Sequence, residues 1–238
     1  MNFFKEVLEI YSEKNIFTID EMKECFQHIP KNLPNYFKDI PKNIYSKDLK
    51  AYDLSKNTAK SCAGIINLFK RSVVFCSPFD MQFSFDKEKI HFRLGAFPVE
   101  PSQFIEIHPA EQFLKYAPDF VKNNVKCVMR FKSNMYYKCT SHMFLSHPFW
   151  HFPQLVASPG ILPKNQELNL NIFFFISNKQ EKFVIRKGDP LAYITFLTDK
   201  SVKGRSLLFP PYWTHAHKGQ PCPDNKERYI LSSYGTFK

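Results

Sequence analysis

The sequence predicts a mainly β protein, a jelly roll or double-stranded β-helix with a small helical N-terminal region. After residue 70 the chain consists of short runs rich in Phe, Ile and Val, separated by Pro, Asn and charged residues. Short strands at turn-marked intervals are typical of sandwiches, jelly rolls and barrels. The apolar content is 44%, and Phe alone occurs 26 times in 238 residues. A chain of this length and composition is able to bury a sizeable core.

Residues 1–59 are predicted to be a helical extension followed by a Pro-rich linker. The apolar residues between positions 3 and 11 recur at helical spacing. Thr18 and Glu21 have the spacing of a capping box in front of a second helix at 22–28. The prolines that follow, set among Lys and Asn, indicate the linker.

Residues 60–238 are predicted to form the β domain, a β-sandwich or jelly roll. A short helix and then a series of strands are expected at 61–70, 72–78, 79–85, 90–94, 104–109, 124–131, 135–139, 142–146, 168–177 and 183–197. The strand at 79–85 has the clearest pattern, because its Phe and Met residues alternate and share one face. The strand at 168–177 is interpreted as buried on both faces at its C-terminal end. The segment 183–197 is interpreted as two strands around a Lys-Gly-Asp-Pro turn.

The amino-acid composition limits the possible binding partners of the protein and its cellular compartment. The net charge of +11 makes nucleic acid a possible partner. However, the basic residues are mostly Lys, lie singly along the chain and include only six Arg, so charge alone does not indicate a DNA-binding protein. The six cysteines form no CxxC pair, and no apolar run approaches the roughly 18 residues of a membrane span. We expect a reduced protein of the cytoplasm, or of a virion, with no membrane contact.

Three segments between residues 60 and 198 carry a resemblance to a known family. They are Lys60-Ser-Cys-Ala-Gly-Ile-Ile66, Ser158-Pro-Gly-Ile-Leu162 and the stretch from Phe183 to Phe196. Together they resemble uncharacterised β-rich proteins frequent in marine tailed phages. The last segment is also similar to a late strand pair of dUTPase-like β-barrels. This second resemblance implies a fold but not nucleotide hydrolysis, because Gly160 is followed by Ile-Leu-Pro-Lys rather than by an Asp-rich loop.

The tail, residues 203–238, carries a different resemblance. It contains Gly204-Arg-Ser-Leu-Leu-Phe-Pro210, then His217, Pro221 and Arg228-Tyr-Ile-Leu231. This order is similar to the last two strands of iron- and 2-oxoglutarate-dependent dioxygenases of the prolyl-hydroxylase type. The resemblance implies Fe(II) and 2-oxoglutarate as cofactors, with His217 as the distal iron ligand and His215 as the alternate ligand. Arg228 would then hold the far carboxylate of oxoglutarate.

The remaining iron ligands do not appear in their usual form. Such oxygenases bind iron with two His and one carboxylate, but no His in this chain is followed two residues later by Asp or Glu. The nearest substitute is the reversed pair Glu106 and His108, which share a face if the segment is a strand. The alternative is an ordinary surface strand. Further histidines lie around Pro148 and Pro153, which break any regular face and favour packing roles; they are His142, His147 and His151.

The sequence is therefore compatible with two functions. The first is a phage-type iron/2-oxoglutarate oxygenase that hydroxylates a peptide or a nucleobase. The second is a non-catalytic β-barrel of a phage, either a binding protein or a virion-associated one, in which the tail contributes only strands. In the second reading the histidines at 215 and 217 are structural.

Overall fold

The computed structural model describes residues 7–12, 16–42, 58–85, 90–95, 100–151, 153–177, 179, 181–197 and 228–232. Within these residues the protein is mainly β, as predicted, and its strands form three open antiparallel sheets. The strands are β1 (Val7–Ser12), β2 (Phe26–His28), β3 (Ser72–Cys76), β4 (Met81–Phe85), β5 (Ile90–Leu94), β6 (Ile105–Pro109), β7 (Val125–Cys139), β8 (Met143–Ser146), β9 (Val156–Ala157), β10 (Gly160–Leu162), β11 (Leu168–Ser177), β12 (Lys182–Ile185), β13 (Pro190–Phe196) and β14 (Arg228–Ser232). The helices are α1 (Ile19–Cys25), α2 (Ile29–Asn32), α3 (Asn35–Asp39), α4 (Ala63–Lys70), α5 (Ala110–Leu114) and α6 (Asp119–Lys122).

The largest sheet is built around the 15-residue strand β7. On one side β7 pairs with β11, which in turn pairs with the short edge strand β9. On its other side β7 pairs with β6 through its first half and with β1 through its second half, and β14 adds to β1. Asn134 has a φ of 55° at the register shift between these halves, as expected of a β-bulge. The predictions at 124–131 and 135–139 are therefore two parts of one strand.

The other two sheets are the two arms of one bent ribbon. β3 pairs with β13 in a five-stranded sheet of order β10-β8-β13-β3-β2, and β4 pairs with β12 and β5 in the third sheet. Because β3 leads into β4 and β12 leads into β13, the ribbon bends where these pairs meet, at residues 77–80 and 186–189. The Lys-Gly-Asp-Pro turn predicted from the sequence lies at this bend, and its Gly188 adopts a φ of 88°, a conformation that favours glycine.

The main core lies between the β7 sheet and the bent ribbon. Inward residues of β7 and β11 pack against those of β3, β4 and β13 in one continuous cluster. Phe131 of β7 illustrates the contact, because its ring centroid lies 6.3 Å from that of Phe75 on β3 and 6.2 Å from that of Phe79. The alternation predicted for 79–85 is confirmed, since Phe79, Met81, Phe83 and Phe85 are all buried.

Short helices cover the far face of the β3–β13 sheet. A second cluster contains Val74 and Cys76 of β3 together with Tyr193 of β13, Phe37 of α3 and Phe69 of α4. Val73 and Phe75 belong instead to the main core, so β3 is buried on both of its faces. This arrangement explains why β3 has a continuous run of buried residues without alternation.

The prediction for the first residues is wrong in one respect. Residues 7–12 form β1, a strand between β14 and β7, and not a helix. The predicted capping box is confirmed, because Thr18 and Glu21 form one at the start of α1. The predicted helix at 22–28 is wrong at its end, because α1 ends at Cys25 and residues 26–28 form a strand. The chain then continues into β2, which pairs with β3. The segment predicted as a wholly helical extension therefore contributes one strand to each of the two larger sheets. None of the described helices is long and apolar enough to cross a membrane.

Candidate functional site

The predicted pair Glu106 and His108 lies on β6, which crosses the first half of β7. The two side chains share a face, as predicted, with Glu106 Oε1 at 3.7 Å from His108 Nε2. Glu106 Oε2 lies 3.3 Å from Arg130 Nη1 and 3.1 Å from Lys132 Nζ, both on β7. His108 Nδ1 donates to Gln112 Oε1 at 3.0 Å. We refer to Glu106, His108, Arg130 and Lys132 as the β6–β7 charge cluster.

The electrostatics of this cluster favour an ion pair over a metal ligand. The hydrogen bond from the Lys132 ammonium holds the pKa of the Glu106 carboxyl below its usual range, with further help from His108 and Arg130. A divalent ion bound by this carboxylate would face two fixed cations within about 4 Å, where like charges repel strongly. Glu106 would have to leave Arg130 and Lys132 before it could bind a metal ion. Among the described residues no group of three or more His, Cys, Asp or Glu is arranged to hold a metal ion.

Two of the predicted tail residues, His215 and His217, lie outside the described residues. Arg228 begins β14 and lies opposite Tyr11 of β1, which lies opposite Tyr136 of β7. Glu106 lies opposite Arg130 of the same strand. Positions 130 and 136 are about 20 Å apart along a strand at roughly 3.3 Å per residue. A site that used both Arg228 and Glu106 would have to bridge this distance along the sheet.

A second arrangement of polar residues surrounds a cavity that the sequence did not indicate. The cavity has a volume of ≈ 170 Å³ and lies where the segment after β8 passes over β11 and the bend between β12 and β13. The described residues that line it are His151, Pro153, Gln154, Leu155, Phe174, Val184, Ile185, Asp189, Pro190 and Leu191. Seven of these ten residues are apolar and three have polar side chains, and the exposed wall of the cavity is divided about equally between polar and apolar atoms. Small-molecule sites combine apolar walls with a few polar groups.

His151 is held at the cavity wall by two hydrogen bonds. Its Nε2 lies 2.7 Å from the backbone carbonyl oxygen of Asn32, at the end of α2. Its Nδ1 lies 2.7 Å from the hydroxyl of Tyr193 on β13. A carbonyl only accepts, so Nε2 carries the proton and Nδ1 accepts from the Tyr193 hydroxyl. The side chain of Asn32 also donates to Cys76 Sγ at 3.4 Å. The network joins the helical layer to the β3–β13 sheet.

Burial keeps the groups of this network uncharged. It lowers the pKa of His151, although the hydrogen bond with Asn32 opposes the shift. It raises the pKa of the Tyr193 hydroxyl well above its usual value and that of the Cys76 thiol to about 12. Desolvation disfavours the charged form in each case. The network is therefore a set of neutral hydrogen bonds at neutral pH.

Asp189 is fixed in the bend by its neighbours. Its Oδ2 accepts from the backbone N–H of Arg186 at 2.7 Å, and its backbone oxygen accepts from the N–H of Ser77 at 2.8 Å. On the other side of the bend, Asp80 Oδ1 accepts from the N–H of Lys187 at 2.8 Å. These backbone contacts give the carboxylate of Asp189 a defined position at the cavity.

The other histidines named from the sequence also make backbone contacts. His147 Nδ1 accepts from the N–H of Ala157, and His142 Nδ1 accepts from the N–H of Lys164, both at 3.3 Å. From the sequence, His151 is only one of three histidines for which packing roles are favoured, and Asp189 is only a turn residue. The signal available in the sequence was the aromatic, Pro-broken stretch at 147–153, but nothing in it indicated that β13 and α2 supply its partners.

Several basic side chains within the described residues are paired with acids. Besides the β6–β7 charge cluster, the pairs are Lys23–Asp20, Lys122–Asp119, Arg186–Asp80 and Lys187–Glu24. The nucleic-acid partner stays a prediction from net charge. No known protein family matches this chain, and no curated protein or solved structure matches it either.

Proposed function

We propose that this chain is a non-catalytic binding protein whose ligand site is the cavity beside His151. The observation that carries the proposal is a cavity lined by three residues with polar side chains, His151, Gln154 and Asp189, among apolar residues. Concave, mostly apolar sites with few polar groups are the usual sites of small ligands. This is the binding-protein alternative left open by the sequence, now attached to a particular cavity.

The polar groups of the cavity support binding more than catalysis. A general base needs a ring nitrogen within reach of the substrate proton, whereas both nitrogens of His151 already hold hydrogen bonds to Asn32 and Tyr193. These bonds fix the ring and its tautomer. His151 is thus suited to forming a rigid wall, which lowers the entropy cost of binding a ligand.

The cavity volume sets the size of the ligand. At ≈ 170 Å³ the cavity is slightly larger than the roughly 150 Å³ that hold a benzene molecule in an apolar protein cavity. A single six-membered ring with one short substituent is therefore the expected size class.

The test is ligand-observed NMR with a neutral probe of this size, benzyl alcohol. We expect the unaltered chain to bind it and Val184→Phe to lose binding, because the larger side chain fills the space. Val156→Phe is the matched control, since Val156 lies on the edge strand β9, is 52% exposed and does not line the cavity. Equal binding by Val184→Phe and the unaltered chain would overturn the proposal.

The second candidate is the iron/2-oxoglutarate oxygenase, which would act on a peptide or a nucleobase. It is favoured by β14, because the Arg228–Ser232 strand pairs with β1 at the edge of the large sheet where the tail resemblance predicts a late strand. In this candidate the three sheets belong to a jelly roll or double-stranded β-helix. His217 or His215 would bind Fe(II) and Arg228 would hold the oxoglutarate. In the prediction from the sequence, Glu106 and His108 would complete the iron site.

The oxygenase is tested by anaerobic titration with Fe(II) and 2-oxoglutarate. The chelate has a weak visible charge-transfer band, and we expect this band to disappear in His217→Ala together with His215→Ala. Val156→Phe again serves as a control that leaves the tail unchanged. If the unaltered chain shows neither the band nor oxoglutarate turnover, this candidate is wrong, whatever the result for the cavity.

A further inference from the structure

We propose that the ligand of the His151 cavity is a small organic cation, an ammonium group on an apolar body about the size of one ring. This inference rests on the proposed function, because it names the class of ligand for the same cavity. It follows from the charges around the cavity, from the way in which the nearest cations are held, and from the apolar walls.

The lining of the cavity carries a negative charge from Asp189. Among the described residues that line the cavity, Asp189 is the only one with a formal charge at neutral pH. His151 adds no opposing positive charge, since its proton is on Nε2 and its Nδ1 accepts a hydrogen bond from Tyr193. The cavity is thus locally negative in a chain whose net charge is +11.

The two cationic residues next to Asp189 in the sequence do not neutralise it. Arg186 and Lys187 immediately precede Gly188 and Asp189, yet both side chains are paired with other acids. Arg186 Nη1 lies 3.5 Å from Asp80 Oδ2, and Lys187 Nζ lies 2.8 Å from Glu24 Oε2. Within the part of the chain that the structure describes, Asp189 has no salt bridge. A carboxylate without a cationic partner in a partly apolar site favours a ligand that supplies the cation.

The carboxylate of Asp189 is held in a fixed position. Asp189 Oδ2 accepts from the N–H of Arg186, and the structure shows no hydrogen bond to Oδ1 from the described residues. The bend is held by backbone hydrogen bonds between Ser77, Gly188 and Asp189. An ammonium group placed against Oδ1 therefore meets a carboxylate that is already oriented, which favours affinity.

The apolar walls decide the rest of the ligand. Leu155, Phe174, Val184, Ile185 and Leu191 line the same cavity as Asp189. A fully hydrated ion such as a metal cation would gain nothing from these walls, whereas a hydrocarbon body would be removed from water against them. The walls and the carboxylate together select an amine with one ring or a short branched chain.

The experiment measures binding of three probes that share a ring and differ in charge: benzylammonium, benzyl alcohol and benzoate. Dissociation constants are obtained by NMR titration of the unaltered chain at low salt. We expect benzylammonium to bind about tenfold more tightly than benzyl alcohol, because a charge-assisted hydrogen bond is stronger than a neutral one. Benzoate is expected to bind most weakly.

Asp189→Asn tests the residue itself. Asn keeps the size of the side chain and an oxygen that accepts from Arg186, so we expect benzylammonium to lose about tenfold in affinity while benzyl alcohol binds as before. Unchanged binding of the alcohol also shows that the cavity is intact in this variant. Glu181→Gln is the matched control, since it removes one negative charge from an exposed residue outside the cavity, and it should alter neither constant.

The outcomes separate the two proposals. If benzyl alcohol binds but benzylammonium binds no more tightly, or if Asp189→Asn binds both probes as the unaltered chain does, the cation inference is wrong and the binding site stands. If none of the three probes binds, both the site and its ligand class are wrong. The comparison of the three probes on the unaltered chain decides the inference even if Asp189→Asn fails to fold.

Discussion

The β6–β7 charge cluster and the His151 network show two ways in which one protein satisfies its polar side chains. Each contains one histidine and a small set of polar partners. In the cluster, Glu106 and its cations are each about one-third exposed, and charge pairing lowers the pKa of the carboxyl. In the network, Tyr193 is 1% exposed, and burial lowers the pKa of His151 instead.

The difference shows why residue type alone was a poor guide to the site. On the open face of the large sheet, water and neighbouring cations compensate the charge of Glu106, so the cluster contributes little to specificity. Between the helices and the β3–β13 sheet, every polar atom needs a defined partner because water is excluded. Defined hydrogen-bond partners hold the polar side chains in fixed positions, and a ligand site requires side chains in fixed positions.

The largest expected effect is in the buried network. His151→Leu leaves the carbonyl of Asn32 and the hydroxyl of Tyr193 without their partner, so we expect the free energy of unfolding to fall by about 2–4 kcal/mol. Urea denaturation measures it. His151→Gln, which keeps one donor and one acceptor, should recover part of the loss. In contrast, Glu106→Gln in the cluster should leave the urea midpoint unchanged. An equal loss for both substitutions would contradict the comparison.

A smaller effect is expected from the other end of the network. Tyr193→Phe removes only the hydroxyl that donates to His151 Nδ1 and keeps the ring that packs against Phe69 at 6.4 Å. We expect unfolding to become easier by about 1 kcal/mol. Tyr116→Phe, at a residue that is 90% exposed, is the control and should not change stability. A neutral result for Tyr193→Phe would mean that this hydrogen bond contributes nothing net.

The two regions should also respond to different pH ranges. The folded-state pKa of His151 is lowered from the ordinary value of 6.5, so below that value the unfolded chain binds the proton more readily. The stability that depends on neutral His151 is complete above about pH 6.5 and decreases as the pH falls toward the lowered pKa. The free energy of unfolding, measured from pH 7.5 to 5, should show this decrease. The decrease should be smaller in His151→Gln. The decrease in stability that remains in His151→Gln would come partly from His147, because burial lowers the pKa of that residue as well.

The pKa of Glu106 is lowered from the ordinary 4.5, so its contribution is complete above that value. It is lost as the pH falls through the lowered pKa. Glu106 should therefore play no part in the change of stability between pH 7.5 and 5. If Glu106→Gln altered that change as much as His151→Gln does, the assignment of the two pH ranges would be wrong.

The smallest expected effect is a shift in one titration. Lys132→Met removes the main cause of the lowered pKa of Glu106, so NMR titration of that carboxyl should show its pKa moving up toward the usual value. Lys138→Met is the matched control, because Lys138 lies on the same strand, pairs in register with Glu9 and is exposed. An unchanged Glu106 pKa in Lys132→Met would mean that the ion pair does not persist in solution.

Much of the strand content was predictable because the patterns were local. The hairpin of β4 and β5 follows from alternation, and the capping box of α1 follows from two residues three apart. The strand β11 was predicted from its apolar run as buried on both faces at its C-terminal end, whereas buried and partly buried residues alternate along it. β1 was predicted as a helix because its apolar residues fit either period. Only pairing with β7 puts Leu8 and Ile10 into the core and makes the segment a strand.

The sequence by itself therefore determined that this is a mainly β protein, and it placed Glu106 and His108 on one face of a strand. It could not determine what those two residues contact, because Arg130 and Lys132 come from another strand more than twenty positions away. The same holds for His151 and the cavity. The hydrogen-bond partners of His151 come from α2 and β13, and Asp189 lies in the bend before β13. Alternation and capping depend on neighbours in the chain, whereas a site depends on distant segments that meet only when the sheets pack.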